Sequence, residues 1–563
     1  MKNYLKWMTG FFLFAMLNLS AFSQGTLPYL KKQGTATQLI VDGKPFLMLA
    51  GELHNSSCSS LEYMAPIWPR MAAKNLNTVI ATASWELVEP TEGRFDFTLV
   101  DAIIEGARKE NLKIVLIWFA SWKNGGSIYM PSWVKKDYQR FPRALDQQGK
   151  PLEILSTFGQ ESMKADAKAF AALMRHIKET DKDKTIIMVQ VQNEVGILNS
   201  IRDFSPAANQ AFFSQVPEDL IQYMTQNKNN LLPEFYEVWA KNGFKTKGNW
   251  EEIFGRSFVD IQNWKAHSFF TEEIFMAYHY AKYIGYIAAE GKKEYNLPMF
   301  CNAWLKQPDY PWTGRFPGGG PLPQVMDVWR AAGPDIDFIA PDIYMPYFAW
   351  VLEQYNRSGN AMFIPETGGG ATGASRVLFA IGEHNIMGFS PFGIDGSFNT
   401  GTPGNAPDPL ADTYKLLEGM SALILQHQGK GTMRGILVDT ENPYQEFELG
   451  DYIVMADPMS TGRSSSQTPG LAQNTVSGGL IIQLGKDEYV VFGRDLNVRF
   501  KPKTPGDLPY IGIDAVDEGV YREGKWIPGR RLNGDETHCS TFSGTGLKMR
   551  GMSIQKISLY RYR

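Results

Sequence analysis

The sequence predicts an α/β chain, a (β/α)8 TIM barrel followed by a smaller all-β, sandwich-like domain. Three observations carry this. Apolar, Val-, Ile-, Leu- and Phe-rich runs alternate with helix-like segments eight times between about Thr35 and Leu425. No Gly-rich phosphate loop follows the first run, as a doubly wound dinucleotide fold would show. After about Gly429 helical periodicity fades into short strand-like runs with turns.

Gln38–Val41, the turn Asp42-Gly43 and Pro45–Leu49 read as a hairpin. The barrel runs are Phe46–Gly51, Thr78–Ala83, Lys113–Phe119, Ile186–Gln192, Met299–Ala303, Ile336–Ala340, Met362–Pro365 and Ile386–Phe392. They are continuously apolar, as strands covered on both faces should be. Asp101–Asn111 and Met163–Thr180 are helical, the second with Ala167, Phe170, Leu173, Met174 and Ile177 on one stripe. Beyond the barrel, Gly435–Val438, Tyr452–Met455, Leu480–Leu484, Glu488–Phe492, Tyr510–Val516 and Met552–Tyr560 read as strands, with a hairpin at Gly485-Lys486-Asp487 and a long loop over Met459–Gly479.

The chain of 563 residues is long enough for both domains, with 44% hydrophobic residues. Its formal net charge of −3, from 56 basic and 59 acidic side chains, argues against a nucleic-acid partner and suits a neutral one such as a sugar. Met1 to Ser23 reads as a signal peptide, with Lys2 and Lys6 before a short apolar stretch and Ala21 and Ser23 at the cleavage site. The expected mature barrel then covers 24–428 and the β domain 429–563. No later stretch has the length of a membrane span, and an exported protein, periplasmic or secreted, without a membrane anchor is expected. The three cysteines, Cys58, Cys301 and Cys539, supply neither a disulfide framework nor a metal cluster, and Cys58 and Cys301 are expected as buried thiols. Oligomeric state is not legible.

Catalytic groups of such a barrel sit at the C-terminal ends of its strands. Those ends carry Glu52 and His54 (first), Trp85 and Glu86 (second), Trp118, Ser121, Trp122, Lys123 and Asn124 (third), Asn193 and Glu194 (fourth), Asp342 and Tyr344 (sixth) and Glu366 (seventh). Glu194 and Glu366 each emerge just as a buried run ends, on strands that face one another across the mouth. Glycoside hydrolysis needs such a pair, one carboxyl protonated for the leaving oxygen and one ionised for the anomeric carbon or a water. Burial and mutual repulsion are the means of splitting their pKa values. Asn193 is placed to hold a sugar hydroxyl. Glu52 and Glu86 have two readings, sugar contact or structural ion pair, and His54 is either a sugar contact or a structural hydrogen-bonding residue. Trp85, Trp118 and Trp122 are either packing or platforms for a sugar ring.

Gln190-Val191-Gln192-Asn193-Glu194-Val195-Gly196 resembles the acid/base motif of family 35 glycoside hydrolases, the β-galactosidases of clan A. Gly51-Glu52-Leu53-His54, Asn75-Leu76-Asn77-Thr78-Val79, Trp85-Glu86, Gly93-Arg94-Phe95-Asp96-Phe97, Pro131-Ser132-Trp133 and Ile364-Pro365-Glu366 resemble other segments of that family. The resemblance covers the barrel, about Gln38 to Ile424. It implies a retaining double displacement with Glu366 as nucleophile and Glu194 as acid and then base. It further implies release of terminal β-galactosyl residues, no cofactor or metal, a sugar contact at Asn193, and Tyr344 beside the nucleophile. The third-strand loop departs from the family: Ser121 stands where a galactose-binding Glu is expected, and Lys123 and Asn124 are candidates to replace it. This resembles a bacterial branch with a small C-terminal β domain, some of whose members act on galactosylated plant polysaccharides such as xyloglucan. A retaining hydrolase for a β-glucoside or α-L-arabinoside, and an inactive carbohydrate-binding barrel, are the alternatives.

Overall fold

The computed structural model describes residues 26–257, 270–309, 312–396, 408–439, 442–459, 476–540 and 544–563. Eight parallel strands close into a barrel in strict chain order: Met48–Glu52, Thr78–Ser84, Lys113–Lys123, Ile186–Asn193, Met299–Trp304, Phe338–Ile343, Ile364–Thr367 and Gly388–Pro391. Each expected run supplies one strand. The interior is a packed core, not a pore: Met48, Ala50, Ile80, Val115, Ile117, Phe119, Met188, Phe300, Phe338, Ala340 and Phe363 form one apolar cluster. Leu39 and Val41 of the leading hairpin join that cluster from outside the strands.

The hairpin itself differs from expectation. Ala36–Val41 pairs with Lys44–Phe46 across Asp42 and Gly43, both at positive φ, and Tyr29–Gln33 adds a further antiparallel strand. Leu47 separates this small sheet from the first barrel strand, so one apolar run serves two sheets. The third strand is longer than expected, running on to Lys123, and its pairing with the fourth shifts register between Trp118 and Lys123.

Helices cover the outside. Gln160–Thr180 buries Ala167, Phe170, Leu173, Met174 and Ile177, the stripe legible in sequence, and packs beside the long helix Phe270–Glu294. Thr98–Lys109 is the expected first long helix, starting slightly earlier. In the last barrel helix, Pro409–His427, the Tyr414 hydroxyl bonds to the Ala50 and Phe389 carbonyls, at 2.9 and 2.8 Å, and so locks the first and eighth strands.

Among the described residues, the all-β domain is a connected antiparallel sheet of nine strands. Its spine is two long strands, Glu488–Pro502 and Gly544–Tyr562. One edge of Glu488–Pro502 pairs first with Ser477–Gln483 and then with Tyr452–Pro458, the change falling at an irregularity around Asp495, which has φ 51°. The strand alternates faces accordingly. Tyr489 and Val491 enter the sheet's own apolar cluster, whereas Val490 and Phe492 join the barrel's. The contact with the barrel is a close backbone approach: a Cβ on Gly478 would lie 2.3 Å from the Ser375 carbonyl of helix Gly370–His384. Arg434 clamps Glu383 of the same helix with two hydrogen bonds. That helix follows the strand bearing Glu366, so the β domain braces the element behind a site residue. Gln445–Leu449, Lys525–Leu532 and Thr537–Ser540 are strands the sequence reading did not contain.

The stretch read as a signal peptide lies outside the described residues, as does most of the Met459–Gly479 loop, although Ser477 to Gly479 are strand. No described helix is long and apolar enough to cross a membrane. Cys58 and Cys301 are free and buried, and burial pushes the Cys58 thiol up to about 11.

Candidate active site

The fourth strand delivers Glu194 through strained backbone. Gln192 and Glu194 both adopt left-handed conformations, φ 65° and 46°, which cost a residue with a side chain on the order of 1 kcal/mol or more each. Side-chain bonds hold this turn. Gln192 accepts the Trp122 N–H at 3.0 Å and donates to Asp166 at 2.8 Å. Asp166, on helix Gln160–Thr180, also accepts from Trp118 Nε1 at 2.7 Å and Ser121 Oγ at 2.5 Å. The Glu194 N–H donates to Asn302 Oδ1 at 2.9 Å.

Asn302, on the fifth strand, is the hub of the site. Its Nδ2 faces Asn193 Oδ1 at 3.0 Å, Asp342 Oδ2 at 2.8 Å and Glu366 Oε1 at 3.3 Å. Tyr344 donates its hydroxyl to Glu366 Oε2 at 2.9 Å. One carboxylate oxygen from each of Glu194, Asp342 and Glu366 lies within 4.8 Å of the others. Glu194 and Glu366 keep 7% and 6% exposure, a narrow opening at the mouth, whereas Glu52 beside them has none.

The electrostatics separate the carboxyls. Burial, and then the Glu366 charge, push Glu194 up to about 8. Burial also raises Glu366, but Lys123 and the Tyr344 hydroxyl pull it back, so it is the easiest of the group to ionise. Glu52 and Asp342 are pushed well above the carboxylate range by burial and then by the Glu366 charge. The arrangement thus favours Glu194 as the group that keeps its proton and Glu366 as the one that gives its proton up more readily.

The residues expected at the site fall into two groups. Glu52, Lys123, Asn193, Glu194, Tyr344 and Glu366 come together. Asn193 is enclosed: its Oδ1 accepts from Gln190 and Asn302, and its Nδ2 donates to Asn124 Oδ1 at 3.2 Å. Lys123 also bonds to Asn124, at 2.7 Å, and Asn124 stands exposed at the rim. His54 is half-buried, its ring 5.0 Å from that of Phe392.

For the rest, the structure takes the packing and ion-pair readings. Trp85, Trp118 and Trp122 are completely buried, so none offers a ring face to a sugar. Their indole N–H groups bond to Glu89, Asp166 and the Leu155 carbonyl, and Trp122 packs edge-on against Tyr280 and Tyr283. Glu86 pairs with Lys135 at 2.9 Å and lines a cleft of about 740 Å³ together with Asn55, Ser84 and Tyr129. Ser121 is turned away from the mouth into the Asp166 network. Asn302 was missed as a site residue, and Asp342 was read only as a strand end. The available signal was a polar side chain inside the apolar run Met299–Ala303.

The three clustered carboxylates are close enough to converge on a cation. The Asn302 amide, an N–H donor, already points at Asp342 and Glu366, and a cation at those oxygens would have to displace it.

Residues 62–266 match the glycoside hydrolase family 42 model, described as "Beta-galactosidase", and residues 410–543 match a "Domain of unknown function (DUF5597)". A "Beta-galactosidase" of Xanthomonas manihotis is 30% identical over 187 residues, 32% of this chain and 28% of that protein. Human "Beta-galactosidase-1-like protein 3" is 27% identical over 179 residues, 30% of this chain and 25% of that protein. The chain thus spans about a quarter of the length of these curated relatives. Among solved structures, the catalytic domain of a β-amylase from Paenibacillus polymyxa aligns with a TM-score of 0.46 at 14% identity, covering 65% of this chain and 97% of that one. The matched segment contains Glu194 but not Glu366, and it is similar to β-galactosidases; with the closed parallel barrel around it, the likeness supports a glycoside-hydrolase barrel.

Proposed function

We propose that the protein is a retaining exo-glycoside hydrolase that releases terminal β-galactosyl residues by double displacement. The observation that carries this is the Glu194–Glu366 pair: two buried carboxyls with facing oxygens within 4.8 Å, Glu194 pushed up to about 8 and Glu366 pulled back toward its ionised form by Lys123 and Tyr344. That spacing supports direct attack on the sugar, since an intervening water needs about 6.5–9.5 Å between the carboxyls.

Glu366, oriented by Tyr344 and Asn302, attacks the anomeric carbon while Glu194 gives its proton to the leaving oxygen. Glu194 then takes a proton from water as the glycosyl–Glu366 ester is cleaved. The natural substrates are oligo- or polysaccharide side chains, with galactosylated plant polysaccharides such as xyloglucan oligosaccharides as the leading class. The family 35 motif around Glu194 supports the galactosyl reading, and the lysine-led start of the chain supports export.

A panel of aryl glycosides differing only in the sugar tests the assignment. The β-galactoside is expected to be turned over best. Equal or faster turnover of the β-glucoside or α-L-arabinoside replaces galactose with that sugar. This second reading has an observation behind it, because Ser121 is committed to Asp166 and offers nothing to a galactose hydroxyl.

A further inference from the structure

Asp342 ends the sixth strand almost fully buried, and its two oxygens are treated differently. Oδ2 accepts the Asn302 amide at 2.8 Å. Oδ1 receives no N–H or hydroxyl from any described residue. The titratable groups facing this carboxyl come from the elements around it: Glu52 from the first strand, Glu194 from the fourth, Glu366 from the seventh, Tyr344 two residues on, and Tyr355 from helix Phe348–Tyr355. The Tyr344 hydroxyl is committed to Glu366, and Asn302 is shared with Asn193 and Glu366. Four buried carboxyls thus crowd together, and the Lys123 ammonium acts on Glu52, Glu194 and Glu366. Asp342 and Glu194 bring oxygens within 4.8 Å of each other; two carboxylates so placed, both acceptors only, would repel, so a proton belongs between Asp342 and Glu194.

We propose that Asp342 is the positioning residue of the acid/base group: it stays a neutral carboxylic acid through the cycle and donates its O–H to Glu194. This rests on the reading of Glu194 as acid/base. In the first step the Glu194 proton goes to the glycosidic oxygen as the anomeric C–O bond breaks and the bond to Glu366 forms. Glu194 is left as a carboxylate, and the Asp342 O–H stabilises it there. In the second step Glu194 takes a proton from the attacking water, the new anomeric C–O bond forms, and Glu366 leaves as a carboxylate. Asp342 ends with the proton it began with. Burial and the neighbouring carboxyls favour the neutral form throughout.

The test is the pH profile of kcat/KM for the full chain, Asp342→Asn, Asp342→Ala and Glu366→Ala, on an aryl glycoside the wild type turns over, with circular dichroism confirming each fold. Asn is neutral and keeps an N–H donor, so Asp342→Asn is expected to leave the basic limb within a few tenths of a unit, on the order of measurement error. Asp342→Ala removes the donor and is expected to move that limb up by about one unit, a tenfold tighter hold on the Glu194 proton. A downward move of about a unit in Asp342→Asn means that Asp342 is an anion in the wild type, and overturns the proposal. So does an unmoved limb in Asp342→Ala. If Asp342→Ala does not fold, the direction of the Asp342→Asn shift decides alone. Full activity of Glu366→Ala instead removes the underlying reading, whatever the Asp342 variants show.

Discussion

Tyr344 donates its phenolic hydroxyl to Glu366 Oε2 at 2.9 Å, and Asn302 reaches the other oxygen of the same carboxylate at 3.3 Å. The proposed nucleophile is therefore gripped at both oxygens by donors from the two preceding strands, and the Tyr344 bond favours its ionised form. Tyr344→Phe is expected to lower kcat/KM roughly 10–100-fold, the usual scale for losing one well-placed donor, and to move the acidic limb of the pH profile upward. Steady-state kinetics on an aryl glycoside reads both.

The pH dependence follows from the split between the two carboxyls. Glu366 must be ionised, which sets the rise of kcat/KM at acidic pH. Glu194 must hold its proton, and burial with the Glu366 charge puts its loss at about 8, so kcat/KM falls as pH rises through that value. In Glu194→Gln, with a leaving group that needs no protonation, the descending limb should vanish.

Glu52 contributes a pH-dependent instability. Its carboxyl is raised in the folded chain by burial and then by the Glu366 charge. For an acid so raised, the native state's advantage is complete below the unfolded pKa near 4.5 and is lost as pH rises toward the folded value. Glu52→Gln removes that loss. The variant's melting temperature should exceed that of the wild type by more at pH 8 than at pH 5, as thermal unfolding at the two values will show.

Asp166 is a structural acid: burial raises it to about 6, and it ties the third and fourth strands to a surface helix through Trp118, Ser121 and Gln192. Asp166→Ala strands those buried donors at about 1–3 kcal/mol each, so a destabilisation of at least about 3 kcal/mol is expected in urea unfolding. The Gln192 turn that presents Glu194 should loosen with it.

The barrel strands were legible because burial on both faces leaves uninterrupted apolar runs, a signal that needs no tertiary information. Glu194 and Glu366 were legible because each is the first charge after such a run. The three tryptophans were not. Local sequence cannot show that the third strand continues to Lys123, or that the partner of Trp118 is an aspartate 48 residues away. Asn302 and Asp342 were obscured for a related reason, since a polar residue in an apolar run gains its meaning only from what closure of the barrel sets opposite it. In the β domain, Lys525–Leu532 was hidden because most of its residues are exposed and it shows no alternation.

The central claim is that Glu366 attacks from the face opposite the leaving group. Glu366→Ala, supplied with sodium azide and the aryl β-glycoside that the wild type prefers, tests it most directly. The expected result is loss of hydrolysis together with formation of the α-glycosyl azide by proton NMR, because azide occupies the space the carboxylate vacates. Undiminished hydrolysis to the free sugar in that variant would contradict the assignment of the nucleophile.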